Sequence, residues 1–186
     1  MGRIVVTEFI SLDGVAEAPA GEDFKYPNWV VEFDRGDEGE QFKVDETLGS
    51  EALLLGRRTY EVFAAAWPQR DGVLADKYNA MPKYVVSSTL TDPKWNNTHV
   101  LSGNPVEEVT QLKDDIDGEI SVAGSIQLAQ ALLDVDLVDE LHLMTFPVLL
   151  GTGRHLFGET SDKSTWKLTK SITVGAGVLI TTLQRA

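Results

Sequence analysis

Residues 53 to 63 read LLLGRRTYEVF: an apolar run, a glycine, two adjacent arginines, then a segment that favours helix. An apolar stretch from Ala52 to Leu55 closed by glycine predicts a buried strand, and Thr59 to Ala66 predicts the helix that follows, with Tyr60, Phe63, Ala64 and Trp67 on its apolar face and Trp67-Pro68 ending it. A strand that turns through glycine into a helix is the unit of a parallel sheet, and the helix start presents unpaired N–H groups beyond the strand's carboxyl end. Gly56 supplies the turn. Thr59 is placed to cap the helix or to offer its hydroxyl to an anion, and Arg57 or Arg58 adds a guanidinium fork suited to phosphate. Glu61 falls two residues after Thr59, not the three of a capping box, which leaves that hydroxyl available to a ligand. The alternative is a pair of surface arginines matched to carboxylates.

That alternative has weight because the chain is acidic. It carries 16 Lys and Arg against 29 Asp and Glu, a formal net charge of -13. Such a field opposes nucleic acid and anionic membrane as general partners, so an anionic ligand must be held by a local device. At 186 residues the chain suits one domain spanning 1–186. There is no cysteine, which excludes disulfides and thiolate metal sites, and there is no run of eighteen apolar residues. The expectation is a soluble, cytoplasmic protein with no signal peptide and no membrane partner.

Outward from the opening stretch, strand and helix alternate. Ile4 to Ile10 is a strand entering an Asp13-Gly14 turn, Lys83 to Ser87 and Thr98 to Leu101 are strands, and Val106 to Lys113 is a helix leading to the Ile120 to Ala123 strand. Ser125 caps a helix whose apolar positions are Ile126, Leu128, Ala129, Leu132 and Leu133, and Glu140 to Pro147 is a strand. Lys167 to Val174 and Val178 to Gln184 flank Gly175-Ala176-Gly177 as a hairpin. Glu40 to Leu48 reads as helix, whereas Glu17 to Gly39 is broken by Pro19, Gly21, Pro27 and Gly36 yet rich in aromatics, the pattern of an ordered functional loop. The fold class is α/β: a mostly parallel central sheet flanked by helices, with an antiparallel hairpin at the end.

Two further junctions match the first. Ser87-Ser88 follows one strand, and Ala123-Gly124-Ser125 opens a helix after another, so that N–H groups of Gly124, Ser125 and Ile126 are placed to face a diphosphate. Each alone is an ordinary turn or capped helix; three together suggest a phosphate-bearing cofactor across the strand ends. Gly151-Thr152-Gly153 fits neither nucleotide-loop template, since Leu156 and Glu159 stand where those need Gly and Lys, and it reads as a structural turn. His99, His142 and His155 lack metal-ligand spacing, so no metal site is expected and strand or surface positions are the reading.

These pieces, ISLDG at 10–14, LLLGRRTYE at 53–61, YVVSS at 84–88, SVAGSIQLAQALL at 121–133 and DELHLMTFPVLLGTGRHLF at 139–157, resemble the dihydrofolate-reductase-like family. The resemblance is nearer to the branch holding the reductase domain of riboflavin-biosynthesis deaminase/reductases and its stand-alone relatives. It implies a three-layer sandwich and an NADPH-dependent reductase, with the 2′-phosphate near Arg57 or Arg58, the other phosphates near Thr59 and Ser125, and Ser87-Ser88 beside the adenosine. It implies a substrate like 5-amino-6-(5-phosphoribosylamino)uracil, with a dihydrofolate or pterin substrate, or a nucleotide-binding protein without turnover, as alternatives. Members commonly carry Gly-Gly where this chain has Ala123-Gly124, and often form homodimers, with which apolar Leu141-Leu143 and Val148-Leu150 are compatible. Asp13 is the candidate proton donor, because the first strand ends beside the nicotinamide in this fold; its other reading is a turn residue. Gly151 falls to the substrate side. Trp29 and Phe33, four apart, are candidates for lining a planar ring's pocket or for packing on the sheet. Beyond the cofactor arginines, Lys25, Arg35, Lys43 and Arg154 are the few basic residues left for a substrate phosphate.

Overall fold

Eight strands form one sheet, ordered β4-β3-β2-β5-β1-β6-β8-β7, and the central ones are near-continuous apolar runs buried on both faces. The computed structural model describes residues 1–20 and 23–186; Gly21, one of the breakers named above, lies outside them. The elements are β1 (Arg3–Ser11), α1 (Gly36–Gly49), β2 (Ser50–Gly56), α2 (Arg57–Ala66), α3 (Val73–Ala80), β3 (Lys83–Val86), β4 (Thr98–Leu101), α4 (Pro105–Asp115), β5 (Glu119–Ala123), α5 (Ile126–Asp134), β6 (Glu140–Phe146), β7 (Trp166–Val174) and β8 (Val178–Arg185). β1 to β6 pair in parallel, while β8 runs antiparallel to both β6 and β7. The expected hairpin therefore closes the sheet. α3 has no counterpart in the sequence reading, because its eight residues, VLADKYNA, present only a short apolar face.

Buried side chains divide by face. Ile4, Val6 and Ile10 of β1 point with Leu54, Ile120 and Val122 toward α4 and α5. On the opposite face, Leu53, Leu55 and Val85 pack with Tyr60 and Tyr78, and Phe146 packs with Trp29 and Val174. This gives helix layers on both sides of the sheet. Of the apolar residues compatible with a dimer face, Leu141, Leu143 and Leu150 are buried within the chain, whereas Leu149 is exposed. No helix among the described residues is long and apolar enough to cross a membrane.

The topology fixes where a ligand can lie. The chain begins at β1, moves two places over to β2 and outward to β3 and β4, then returns to insert β5 between β2 and β1. The carboxyl ends of β2, β5 and β1 therefore diverge at the point where the winding reverses, which opens a crevice in sheets of this kind.

Candidate functional site

A cleft of about 1050 Å³ occupies that crevice. Its lining includes Gly56, Arg57, Arg58, Thr59, Ser87, Ser88, Gly124, Ser125 and Ile126, so the three junctions singled out in the sequence meet in one space. The cations Arg35, Lys43, Arg57, Arg58, Arg70 and Arg154 line it against the carboxylates Glu8 and Glu40. In a chain of net charge -13 this is a local reversal of sign.

Two of the junctions are tied to each other. Gly56 N–H donates to Ser125 Oγ at 3.0 Å, and Ser125 N–H donates to Thr59 Oγ1 at 2.9 Å. Ser125 takes a left-handed conformation, φ 59°, and makes no side-chain cap, contrary to the expected Ser cap: its oxygen is turned toward β2. The Ser125 N–H and the Thr59 oxygen, both expected to meet a ligand, are thus bonded to each other, but neither α2 nor α5 has a side-chain cap at its start, which leaves the N–H groups of their first turns to a ligand. Gly124 sits at φ +60°, where an added Cβ would lie 3.1 Å from Thr59 Cγ2. Ala123 has no positive φ and closes β5 opposite Thr7, so its backbone does not demand the glycine that the resemblance implies there.

The hydroxyls and arginines sort by partner. Ser87 Oγ accepts from the N–H of Thr89 and of Leu90, 3.2 and 3.1 Å away, which makes it a turn-former, and Ser88 stands exposed beside it. Arg57 pairs with Glu61 at 2.8 Å one turn along an exposed helix face. Such pairs are worth about 0.5 kcal/mol or less and exchange readily for a phosphate. Arg154, from the β6–β7 connection, clasps Glu17 through Nε and Nη2, both at 3.0 Å. Burial alone would raise the Glu17 carboxyl, but Arg154 and then the nearby Arg58 charge hold it below its ordinary value. Arg58 and Arg154 therefore act on one carboxylate at the edge of the cleft.

Where α1 borders the cleft the chemistry is different. Lys43 Nζ donates to Thr7 Oγ1 at 2.8 Å and pairs with Glu46, whose side chain is only 4% exposed. Thr7 Oγ1 donates to Glu46 Oε2 at 2.9 Å, and Glu46 Oε1 lies 2.7 Å from His142 Nδ1. His142 Nε2 is 3.1 Å from Glu140, which also meets Arg3 and Gln184. Burial opposes ionisation of Glu46, yet the Lys43 charge and the hydrogen bonds from His142 and Lys43 bring its carboxyl down to about 2. Burial likewise disfavours the imidazolium, but Glu46, then Glu140 and Glu119, outweigh it and raise the His142 pKa.

Four of the expected site residues are placed elsewhere. Asp13, Trp29, Phe33 and Gly151 do not line the cleft. Asp13 accepts from Ser11 Oγ at 2.6 Å and from the N–H groups of Leu150 and Gly151, which pins the turn after β1 to the turn after β6. The Ser11 bond, opposed by burial and reinforced by the Gly151 and Leu150 amides, holds its carboxyl at about 2. Gly151 and Gly153 both have positive φ, and a Cβ on Gly153 would strike Phe24 and Val15 at 2.8 Å, as the structural-turn reading requires. Trp29 is 1% exposed, donates Nε1–H to Glu17 O, and packs edge-on with Phe33 around Phe146. Both aromatics thus follow the packing reading.

Sequence reading missed the Thr7–Lys43–Glu46–His142 array. Its signal was polar residues at buried strand positions, Thr7 between Val6 and Glu8 and His142 between Leu141 and Leu143, facing a Lys43 and Glu46 spaced three apart on a helix.

The family model described as the RibD C-terminal domain matches residues 3–180. The uncharacterized protein YyaP of Bacillus subtilis is 26% identical over 183 residues, 95% of this chain and 92% of that protein. Among solved structures, a putative riboflavin biosynthesis protein from Shewanella sp. PV-4 superposes with a TM-score of 0.81 at 24% identity, covering 99% of each chain. Dihydrofolate reductase from Enterococcus faecalis, complexed with NADP(H), gives 0.64 at 16% identity, with 98% and 96% covered. The fold is therefore dihydrofolate-reductase-like.

Proposed function

The chain belongs to the RibD C-terminal domain family, and on that premise we propose that it is an oxidoreductase that uses NADPH to reduce a small heterocycle, a pyrimidine of the kind found in riboflavin biosynthesis. The observation that carries the cofactor is the meeting of two uncapped helix starts, Gly124 and a cluster of arginines in one cleft of an otherwise acidic protein. A dinucleotide diphosphate needs close backbone approach and clustered N–H donors, and these residues fit it. Arg57, held only by an exposed and exchangeable pair, together with Ser88 takes the 2′-phosphate; Arg58 and Arg154 take the diphosphate. Bound there, the nicotinamide supplies a hydride. The protein's share is to orient the two reactants, exclude water from between them and provide the donor that meets the substrate.

Calorimetric titration and thermal denaturation test this directly. NADPH at a hundredfold excess over its dissociation constant stabilises the fold by about 2.7 kcal/mol. Arg57→Ala weakens NADPH by roughly tenfold or more and leaves NADH nearly unchanged, the loss of a charge-assisted bond of about 1.5–3 kcal/mol. Arg58→Ala weakens both. No thermal shift with either nucleotide refutes the reading, and an unaltered preference in Arg57→Ala removes the role given to that side chain. A panel of reducible pyrimidines and pterins, followed by NADPH consumption, then identifies the substrate.

A further inference from the structure

Arg154 reaches the cleft from the β6–β7 connection, and its guanidinium is held on one edge only. Nε and Nη2 both donate to Glu17 Oε1 at 3.0 Å, and the Arg154 main-chain N–H donates to Glu17 Oε2 at 2.8 Å. Among the described residues no acceptor takes the Nη1 donors. Ala16, Ala18, Pro19 and Ala20 line the cleft whereas Glu17 does not, so its carboxylate grips Arg154 from behind the cleft wall. Glu17 is itself fixed. Its carbonyl accepts from Trp29 Nε1 at 2.8 Å, the Ala16 N–H donates to Arg154 O at 2.9 Å, and Val15 bridges His155. An arginine 41% exposed at its side chain is thereby tied, through one carboxylate, to a tryptophan 1% exposed in the core. Arg58 lines the same cleft and adds its charge to that carboxylate, so the two arginines share a counter-ion and stand together in spite of their like charge.

The charges at this edge are answered: Glu17 faces Arg154 and Arg58, Glu61 faces Arg57, and Glu8 lines the cleft as well. What the site offers an anion is therefore direction, not surplus charge. We propose that Glu17 is the positioning residue of the anion site: it holds the Nη edge of Arg154 toward the cleft, set to give parallel N–H bonds to two oxygens of a diphosphate. The inference rests on the cofactor reading above for the molecule that carries the diphosphate. An unanchored arginine loses rotamer freedom when a ligand immobilises it, and here Glu17 and Trp29 have removed that freedom in the folded chain. Trp29, which does not line the cleft, acts on it through Glu17.

Titration of the full chain with NADP⁺ and, separately, with inorganic diphosphate tests this in Glu17→Gln and Glu17→Met. Both variants lose the same charge and closely match in length; only the glutamine keeps an acceptor for the Arg154 fork. Glu17→Gln binds either probe about fivefold tighter than Glu17→Met. The gap closes when Arg154→Met is added to each, because no guanidinium is then left to orient. Equal binding by the two Glu17 variants overturns the proposal and leaves Glu17 a charge alone; a gap that persists without Arg154 also overturns it. If the Met variant fails to fold, Glu17→Ala takes its place in the same comparison. Should diphosphate bind the unaltered chain and NADP⁺ not, the cofactor reading is struck and the diphosphate titrations decide the role of Glu17; failure of both probes overturns the proposal.

Discussion

The two halves of the cleft hold charge in opposite ways. Where α2 and α5 begin, it is met by backbone N–H groups and by arginines in contact with solvent, Arg57 being 44% exposed at its side chain. Where α1 borders the sheet, charge is buried and answered by more charge, in a line running from Lys43 through Glu46 and His142 to Glu140 and Arg3. The first arrangement costs little to hold empty, since water solvates it. The second is stable only while every member is present, because a buried charge without its partner carries the whole desolvation penalty.

Glu46→Ala probes that difference most severely. Removing it leaves Lys43 and His142 facing each other across a buried gap, and the loss expected on breaking such a pair is about 3–5 kcal/mol, read as a drop of roughly 10 °C in melting temperature. A loss under about 1 kcal/mol means that the array is solvated and the contrast is lost. Gly124→Ala is the matching cut at the half where α2 and α5 begin. Its positive φ and the 3.1 Å approach to Thr59 predict about 1–2 kcal/mol of destabilisation, with weaker NADPH binding.

The finest discrimination comes from pH. The Glu46 pKa is lowered from 4.5 to about 2, so its contribution is present above 4.5 and lost as pH falls toward 2. The His142 pKa is raised above 6.5, so its contribution is complete below 6.5 and lost as pH rises through the raised value. Stability from the array is therefore greatest between about 4.5 and 6.5. His142→Gln flattens the loss on the alkaline side and makes the acid limb shallower without abolishing it, because Lys43 still lowers Glu46, as denaturant titrations across pH will show. A variant with both limbs unchanged excludes His142 from the array.

The same contrast explains what could be read from the chain. The half of the cleft proposed for the nucleotide is written in short pieces, GRRT at 56–59 and AGS at 123–125, whose turn and helix-start chemistry is local and so visible. The sheet was legible for the same reason, through apolar runs bounded by glycine. The array at α1 joins residues 39 and 96 positions apart, Thr7 with Glu46 and Glu46 with His142. Only the strand order β5-β1-β6 brings them together. Asp13 misled for a related reason: its acidity and its place after β1 suit a proton donor, but the amides of Leu150 and Gly151, 137 and 138 positions away, claim both its oxygens.

The paired bonds between Gly56, Ser125 and Thr59 make one cooperative unit of two turns that are 66 to 69 residues apart. Neither turn can open by local unfolding without releasing the other, so the start of α2 and the start of α5 fluctuate as a single hinge-free block. A ligand that touches either helix start is therefore received by a surface already ordered on both sides, and the entropy of aligning the two was lost when the chain folded, not when the ligand bound.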